Sequence, residues 1–379
     1  MSSPAYLDPR TGRTFPLERP RWRSDDGNPL MITPLPGIGR DDIELDLRSL
    51  WRYRAAFPFG PEVAPITLGE GCSPLIKVRL DGAGVLAKLE WFSPTGSFKD
   101  RGASVMLSGL RAQGITEVLE DSSGNGGAAI AAYAAAGGMR AKILVPAATS
   151  PAKTVQMEAC GAEVERVSGT RQDCADEAVR QAERIFYASH NWHPFFLQGT
   201  KTLAYELWED LGFRVPEAVI APCGAGSIVL GLEIGFGELL RAGAIERIPR
   251  LFAVQPEACA PIAAAFRAGV DHPVACEIRP TIAEGTAIAR PLRLREVLGA
   301  VRATEGGVIA VAEAEIVAAF HALAERGLFV EPTCASALAG WRKLRAAGTL
   351  AEREETVLIL TGTGLKAVPR IAELIGARS

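Results

Sequence analysis

S-P-T-G-S-F-K-D-R-G occupies residues 93–102, directly after the apolar run V-L-A-K-L-E at 85–90. Proline, glycine and small hydroxyl residues make a tight turn, and that turn delivers Lys99 between Phe98 and Asp100. An apolar strand, a small-residue turn and a following helix form the joint from which open α/β sheets are assembled. Two readings of the lysine stand side by side. Lys99 can pair with Asp100 at the surface, or it can be held at a sheet edge in partly apolar surroundings. In the second setting an amine loses its charge more readily and can serve as a nucleophile or Schiff-base former. The turn and Phe98 favour the second reading.

The same joint recurs along the chain. Short apolar runs at 117–123, 141–146, 185–190, 218–224, 250–256 and 356–362 are bounded by Gly, Pro or Ser, as buried parallel strands are. Between them lie stretches of helical period, at 128–138, 200–212, 227–243 and 313–327, and several close on glycine. The alternation predicts an α/β fold with two open, twisted, mostly parallel sheets. Residues 1–50 are polar, rich in proline and turns, and read as irregular structure or short hairpins.

Bulk properties narrow the function. The chain has 379 residues, 48% hydrophobic and 22% charged, which is globular composition. Its 41 basic and 44 acidic residues leave a net charge of −3, so it presents no field for nucleic acid or a membrane surface. An anionic small ligand must then be met locally, for example by a helix N-terminus. The seven cysteines include no C-x-x-C pair and are odd in number, so a reducing cytoplasm is expected. The first residues lack the apolar core of a signal peptide, and no run reaches the ~18 apolar residues of a membrane span.

Four Gly/Ser-rich turns fall where strands hand over to helices, and ligands of open α/β sheets collect there. In C-G-A-G-S-I (223–228) Gly224 and Gly226 permit close approach, and the N–H groups of Ala225, Gly226, Ser227 and Ile228 suit a phosphate, with an ordinary tight β–α turn an equal reading. No acidic residue follows at the ribose distance, which disfavours a dinucleotide. In S-S-G-N-G-G (122–127), Ser122, Ser123, Gly124 and Asn125 offer donors for a carboxylate or phenolate-type oxygen. Helix capping accounts for one such residue but not for the group. T-G-T-G-L-K (361–366) adds the hydroxyls of Thr361 and Thr363 at a strand end, where a capped turn is an equal reading. A nucleophilic lysine, a phosphate cradle, a carboxylate loop and a strand-end hydroxyl together suggest pyridoxal phosphate.

The order P-T-G-S-F-K-D-R-G, S-G-N, Q-G-T-K-T (198–202), glycine cradle, E-P-T-C-A-S-A-L-A-G (331–340) and L-T-G-T-G-L-K (360–366) resembles that of fold-type II pyridoxal-phosphate enzymes. Within them it is most similar to the threonine synthase family, over about residues 66 to 370. The resemblance implies a tryptophan synthase β-like fold, with the cofactor between domains. It implies that Lys99 carries the cofactor as a Schiff base, with Phe98 beside the ring and Asn125 on its 3′-oxygen. The 224–228 amides then hold the 5′-phosphate, and Thr361 faces the pyridine nitrogen. Ser122, Ser123 and Gly124 take the substrate carboxylate, and Ser97 and Phe196 complete the substrate residues. A hydroxyl at that nitrogen makes a weaker electron sink than a carboxylate, favouring elimination or replacement.

The sequence departs from the family at several points. Phe196 stands where relatives that grip a phosphorylated substrate carry arginine, with Lys201 and His193 as the nearby candidates to compensate. Glu284-Gly285 is closer to dehydratases and racemases, and S-S-G-N-G-G replaces the commoner S-T-G-N-T-S. Asp8, Thr11, Arg23 and Asp26 align with the cysteines of a zinc ribbon, so no metal is expected. The four histidines show no ligand spacing, and Glu331-Pro332 marks a turn before a helix. The expected domains are 1–50 as an extension, 51–105 with 205–379 as the cofactor domain, and 106–204 as a smaller insertion. The implied activity is a lyase or replacement reaction on a small amino acid with a Cβ or Cγ leaving group, such as O-phosphohomoserine, in a cytoplasmic homodimer. A dehydratase, ammonia-lyase or racemase is the alternative, and a catalytically idle relative is the third reading.

Overall fold

A computed structural model describes residues 3–376 of the chain. Strands β1 (Ala5–Leu7), β2 (Thr14–Pro16) and β3 (Met31–Ile32) precede β4 (Leu75–Leu80) and β5 (Ala83–Leu89). A middle group follows as β6 (Glu117–Glu120), β7 (Arg140–Pro146), β8 (Glu163–Val167) and β9 (Phe186–Tyr187). The last group is β10 (Ala218–Pro222), β11 (Arg250–Pro256), β12 (Gly307–Val311) and β13 (Thr356–Leu360). Helices α1 (Lys99–Ala112), α2 (Asn125–Ala136), α3 (Pro151–Ala159), α4 (Arg171–Gln181) and α5 (Pro194–Thr200) come first. They are followed by α6 (Thr202–Asp210), α7 (Ser227–Arg241), α8 (Pro261–Arg267) and α9 (Leu294–Ala303). Helices α10 (Glu313–Ala324), α11 (Pro332–Ala346) and α12 (Val368–Leu374) complete the series.

The elements divide into two units. One contains Ser73–Phe98 and the chain from Leu203 onward. Its six-stranded sheet has the order β12-β11-β10-β13-β5-β4, parallel throughout except for the β4–β5 pair. Strands β10 and β13 are buried along their whole length, and Ile220 registers with Phe252 on one side and Leu358 on the other. Helices cover both faces of such a sheet, so its inner strands read as continuous apolar runs. Val254, Phe320, Leu338 and Leu358 lie in this unit's core.

The other unit runs up to Cys72 and resumes over Lys99–Thr202. Its four-stranded sheet, β8-β7-β6-β9, is fully parallel, with Leu119 registering against Tyr187 and Lys142. A second sheet, β2-β1-β3, is antiparallel and buries Tyr6. In its first turn the Asp8 carboxylate accepts the N–H groups of Arg10 (2.9 Å) and Thr11 (3.3 Å) and the Asn28 side-chain amide (3.0 Å). Asp8 thus joins the 8–12 turn to the 24–28 turn. Among the other positions aligned with ribbon cysteines, Asp26 pairs with Arg13 and Arg23 bridges Pro29.

The division differs from the expected one, in which 51–105 belonged with the large sheet. Trp51 Nε1 donates to Ser104 Oγ on α1 (2.9 Å), that hydroxyl donates to Ile66 O (2.7 Å), and Ile66 N–H reaches Ser108 Oγ (2.7 Å). These bonds tie 50–70 to α1. Helix α1 is in turn seated on α5 through its glycines. A Cβ at Gly102 would stand 2.4 Å from the Phe196 ring, and one at Gly109 would stand 2.7 Å from the Phe195 ring. The turn 93–98 therefore stays with the six-stranded sheet while the helix that begins at Lys99 belongs to the other unit.

In the two larger sheets three strands escaped the sequence reading, β4, β8 and β12, and all three are sheet edges. The run expected at 117–123 ends at Glu120, and that at 185–190 shrinks to Phe186–Tyr187.

Candidate active site

In the six-stranded unit, two motifs singled out in the sequence are locked together. Phe98 N–H donates to Thr361 O (3.1 Å) and Thr363 N–H donates to Gly96 O (3.2 Å). Ser97 bridges Gly362, and Lys366 Nζ donates to Thr95 O (2.7 Å). The S-P-T-G-S-F turn is thereby pinned to the end of β13. Thr361 is buried, and its surroundings include Cys334 and Glu331 at the start of α11. Burial pushes the Cys334 thiol up to about 12, only partly offset by bonds from Gly362 and Thr361, so it is inert at neutral pH. Thr363 caps the short helix after it, accepting Leu365 N–H at 3.3 Å, so its hydroxyl is committed locally. Glu331 is the N-cap of α11 with Pro332 behind it, as the sequence suggests.

The glycine cradle follows β10 in the same unit. Gly226 is left-handed (φ +94°) and precedes the fifteen-residue helix α7. A side chain there would be strained, and its Cβ would meet Val297 Cγ2 at 2.2 Å. The first-turn N–H groups of a helix have no partner within it, and the helix dipole places partial positive charge there. Gly224 packs against Thr286 and Ile288 of the 281–291 segment, while Glu284 is exposed and the Gly285 N–H donates to Thr333 Oγ1 (3.0 Å). Sequence reading passed over Thr286 and Thr333, whose role is to seat this segment beside the cradle.

In the other unit, Lys99 opens α1, is half-buried, and holds its Nζ 5.6 Å from the Phe196 ring centroid. Phe196 itself is fully buried. Neither candidate for replacing an arginine is loose beside it. Lys201 Nζ donates to Ala56 O and Gln198 Oε1, both at 2.6 Å, and His193 Nδ1 accepts the Phe195 N–H. Asn125 begins α2 with Gly124 as N-cap. Ser122 is buried and accepts the Gly124 N–H at 3.4 Å, whereas Ser123 is half-buried. Beneath this turn lies a pair the sequence did not reveal, Glu120 and His190, whose separation in the chain hides their contact.

The profile described as pyridoxal-phosphate dependent enzyme matches residues 66–362. The chain belongs to that family. It is 34% identical to the threonine synthase of Methanocaldococcus jannaschii over 84% of this chain and 80% of that protein. Identity to the threonine synthase of Mycobacterium tuberculosis is 32%, over 83% and 87%. Among solved structures, the processed form of threonine deaminase isoform 2 from Solanum lycopersicum superposes with a TM-score of 0.69 at 23% identity, covering 92% and 98%, a likeness of fold.

The residues present fit pyridoxal phosphate. The Gly226 turn admits only a residue without a side chain and opens an anion-receiving helix end. Ser97 Oγ, buried two residues before the lysine, has no hydrogen-bond partner. Nothing beyond its chain neighbours lies within 4 Å of a Cβ placed at Gly124, so the Ser122–Asn125 turn has room above it. As a pyridoxal-phosphate-dependent enzyme of the threonine synthase-like group, the protein is a lyase of amino-acid metabolism. No described helix is long and apolar enough to cross a membrane, and no group of three or more His, Cys, Asp or Glu among the described residues is arranged to hold a metal ion.

Proposed function

We propose that the enzyme converts a small amino acid carrying a leaving group at Cβ or Cγ, with O-phosphohomoserine to threonine and phosphate as the specific reaction. The observation behind this reading is the lock between the 95–98 turn and the 361–366 turn, in which the N–H of Phe98, the residue before Lys99, donates to the Thr361 carbonyl. In this reading the 224–228 amides take the cofactor's phosphate, Asn125 its phenolic oxygen and Thr361 its ring nitrogen, with Phe98 packed beside it. Bound there, the cofactor withdraws electrons from the substrate's α-carbon. Lys99 then holds and returns the proton at that carbon, while Ser122, Ser123 and Gly124 orient the α-carboxylate and Ser97 offers a hydroxyl donor. Phe196, being buried, acts as an apolar wall. Thr361, a neutral partner, tempers electron withdrawal and so favours elimination and replacement over transamination.

The family resemblance supports a homodimer, and seven free cysteines with no disulfide among them support a cytoplasmic location. A dehydratase or ammonia-lyase acting on an unphosphorylated hydroxy amino acid is the second reading. It is favoured by the buried Phe196 ring, in place of a guanidinium, and by the commitments of Lys201. The deciding assay compares phosphate release from O-phosphohomoserine with ammonia release from serine and threonine. Saturable phosphate release with threonine formation is expected. Slow turnover of the phosphorylated substrate beside faster deamination would replace the first reading by the second.

A further inference from the structure

Glu120 ends β6, two residues before the Ser122–Asn125 turn, and both it and His190 are buried. Its carboxylate accepts the Asp121 N–H (2.9 Å) and the His190 N–H (3.0 Å), and both oxygens lie 3.1 Å from His190 Nδ1. Beside a carboxylate, Nδ1 must carry the proton, which fixes the tautomer. The imidazole lies flush against the first turn of α2, because a Cβ at Gly126 would stand 2.8 Å from both Nδ1 and Cε1. It also packs edge-on against Phe196, with ring centroids 5.8 Å apart. Phe196 is the ring that Lys99 Nζ approaches to 5.6 Å. One aromatic side chain thus touches both the imidazole and the reactive amine.

Lys99 acts on the pair from α1, and Asp121 sits next to Glu120 in the chain, accepting the Tyr187 hydroxyl (2.6 Å) from β9. Arg171 acts on His190 from the start of α4. Burial pushes the Glu120 carboxyl up to about 6, despite the opposing N–H groups of His190 and Asp121 and the charge of Lys99. Burial also holds His190 well below its ordinary value, with the Lys99 and Arg171 charges adding to the effect. The imidazole is therefore neutral at physiological pH, and the negative charge resides on Glu120.

We propose that Glu120 and His190 are a positioning couple for Lys99. Glu120 fixes the imidazole as a wedge against Gly126 and Phe196, and its carboxylate supplies the counter-charge that the Lys99 ammonium senses. This rests on the reading of Lys99 as the reactive amine. An ordinary buried polar pair would stabilise the fold equally well, but its removal would leave the proton affinity of Lys99 unchanged.

The experiment follows acylation of Lys99 by a neutral amine reagent, read by peptide mass spectrometry across the neutral to alkaline range. It uses the full-length protein with and without pyridoxal phosphate, with melting curves to establish that each variant is folded. Glu120→Gln removes the counter-charge, so Lys99 should lose its proton more easily and label about tenfold faster at neutral pH, the effect of a shift of about one pKa unit. His190→Asn keeps an N–H where Nδ1 stood and should retain the wild-type profile. His190→Ala should move partway toward Glu120→Gln. A folded Glu120→Gln protein with an unmoved profile overturns the couple, as does a His190→Asn profile that shifts as far as that of His190→Ala. If Glu120→Gln does not fold, the two histidine variants decide the matter. Protection of Lys99 by added cofactor tests the enzyme reading separately: an unprotected Lys99 would sink that reading while the profiles still judge the couple.

Discussion

Lys88 near the end of β5 and Lys99 at the start of α1 are close in sequence and opposite in character. Lys88 is fully buried, and its ammonium donates to Ser73 O (2.5 Å), Glu206 (2.6 Å) and Asp210 (2.6 Å). Lys99 is half-buried, with its Nζ 5.6 Å from the Phe196 ring centroid, and its charge acts on Glu120 under the Ser122–Asn125 turn. An ammonium ringed by carboxylates is held in its charged form and cannot attack anything. The Lys99 amine lies instead over an aromatic ring. The comparison teaches that the depth of burial does not mark a functional lysine; the partners do.

The contrast predicts opposite failures. Lys99→Ala should lower activity by about 10³-fold or more and abolish the visible absorbance of bound cofactor, with the melting temperature close to wild type. Lys88→Met should do the reverse, costing about 3–5 kcal/mol because Glu206 is left as an uncompensated buried charge, measured by urea unfolding. Protein that remains folded should keep its turnover number. A stable Lys88→Met protein, or a Lys99→Ala protein that fails to fold, would break the contrast.

A subtler change sharpens it. Gly102→Ala would place a methyl 2.4 Å from the Phe196 ring, so the ring must move. Overpacking of this kind costs about 1–3 kcal/mol, and the displaced ring should alter the acylation profile of Lys99 while leaving Lys88 unreactive. An unchanged profile would mean that Phe196 contributes packing alone.

The same pair of lysines shows what the sequence discloses. The S-P-T-G-S-F turn, the Gly226 cradle and the T-G-T-G-L-K end were legible because each needs glycine or a hydroxyl at a fixed step between strand and helix, a local requirement. Inner strands such as T-V-L-I-L were legible because both faces are buried. The edge strands L-I-K-V-R-L and E-V-E-R-V were not, since their charged residues face solvent and break the apolar run. The Glu120–His190 contact, the seat of Phe196 on Gly102 and the bonds tying 50–70 to α1 join residues remote in sequence, and no local pattern carries them.

The contrast recurs in smaller form among the carboxylates. Burial raises both Asp8 and Glu120, but at Asp8 the Asn28 amide, the Arg10 N–H, Ser24 and Thr11 outweigh it and bring the group down to about 2, whereas at Glu120 burial wins. Asp8 is thus the carboxylate counterpart of Lys88. Its folded value lies below the ordinary 3.8, so the unfolded chain binds the proton first as pH falls. The stability Asp8 contributes is complete above about pH 4 and is lost as pH drops toward about 2. Asp8→Asn keeps an oxygen for the Arg10 and Thr11 N–H groups but turns an amide donor toward Asn28, so at neutral pH it should cost on the order of 1 kcal/mol. Unfolding of the two proteins should then be compared at neutral pH and at descending acid pH. The gap between them should narrow between about pH 4 and about pH 2, because the wild type surrenders there what the variant never had. A gap that stays constant to the acid end would mean that the charge of Asp8 does not join the two turns, and the parallel with Lys88 would fail.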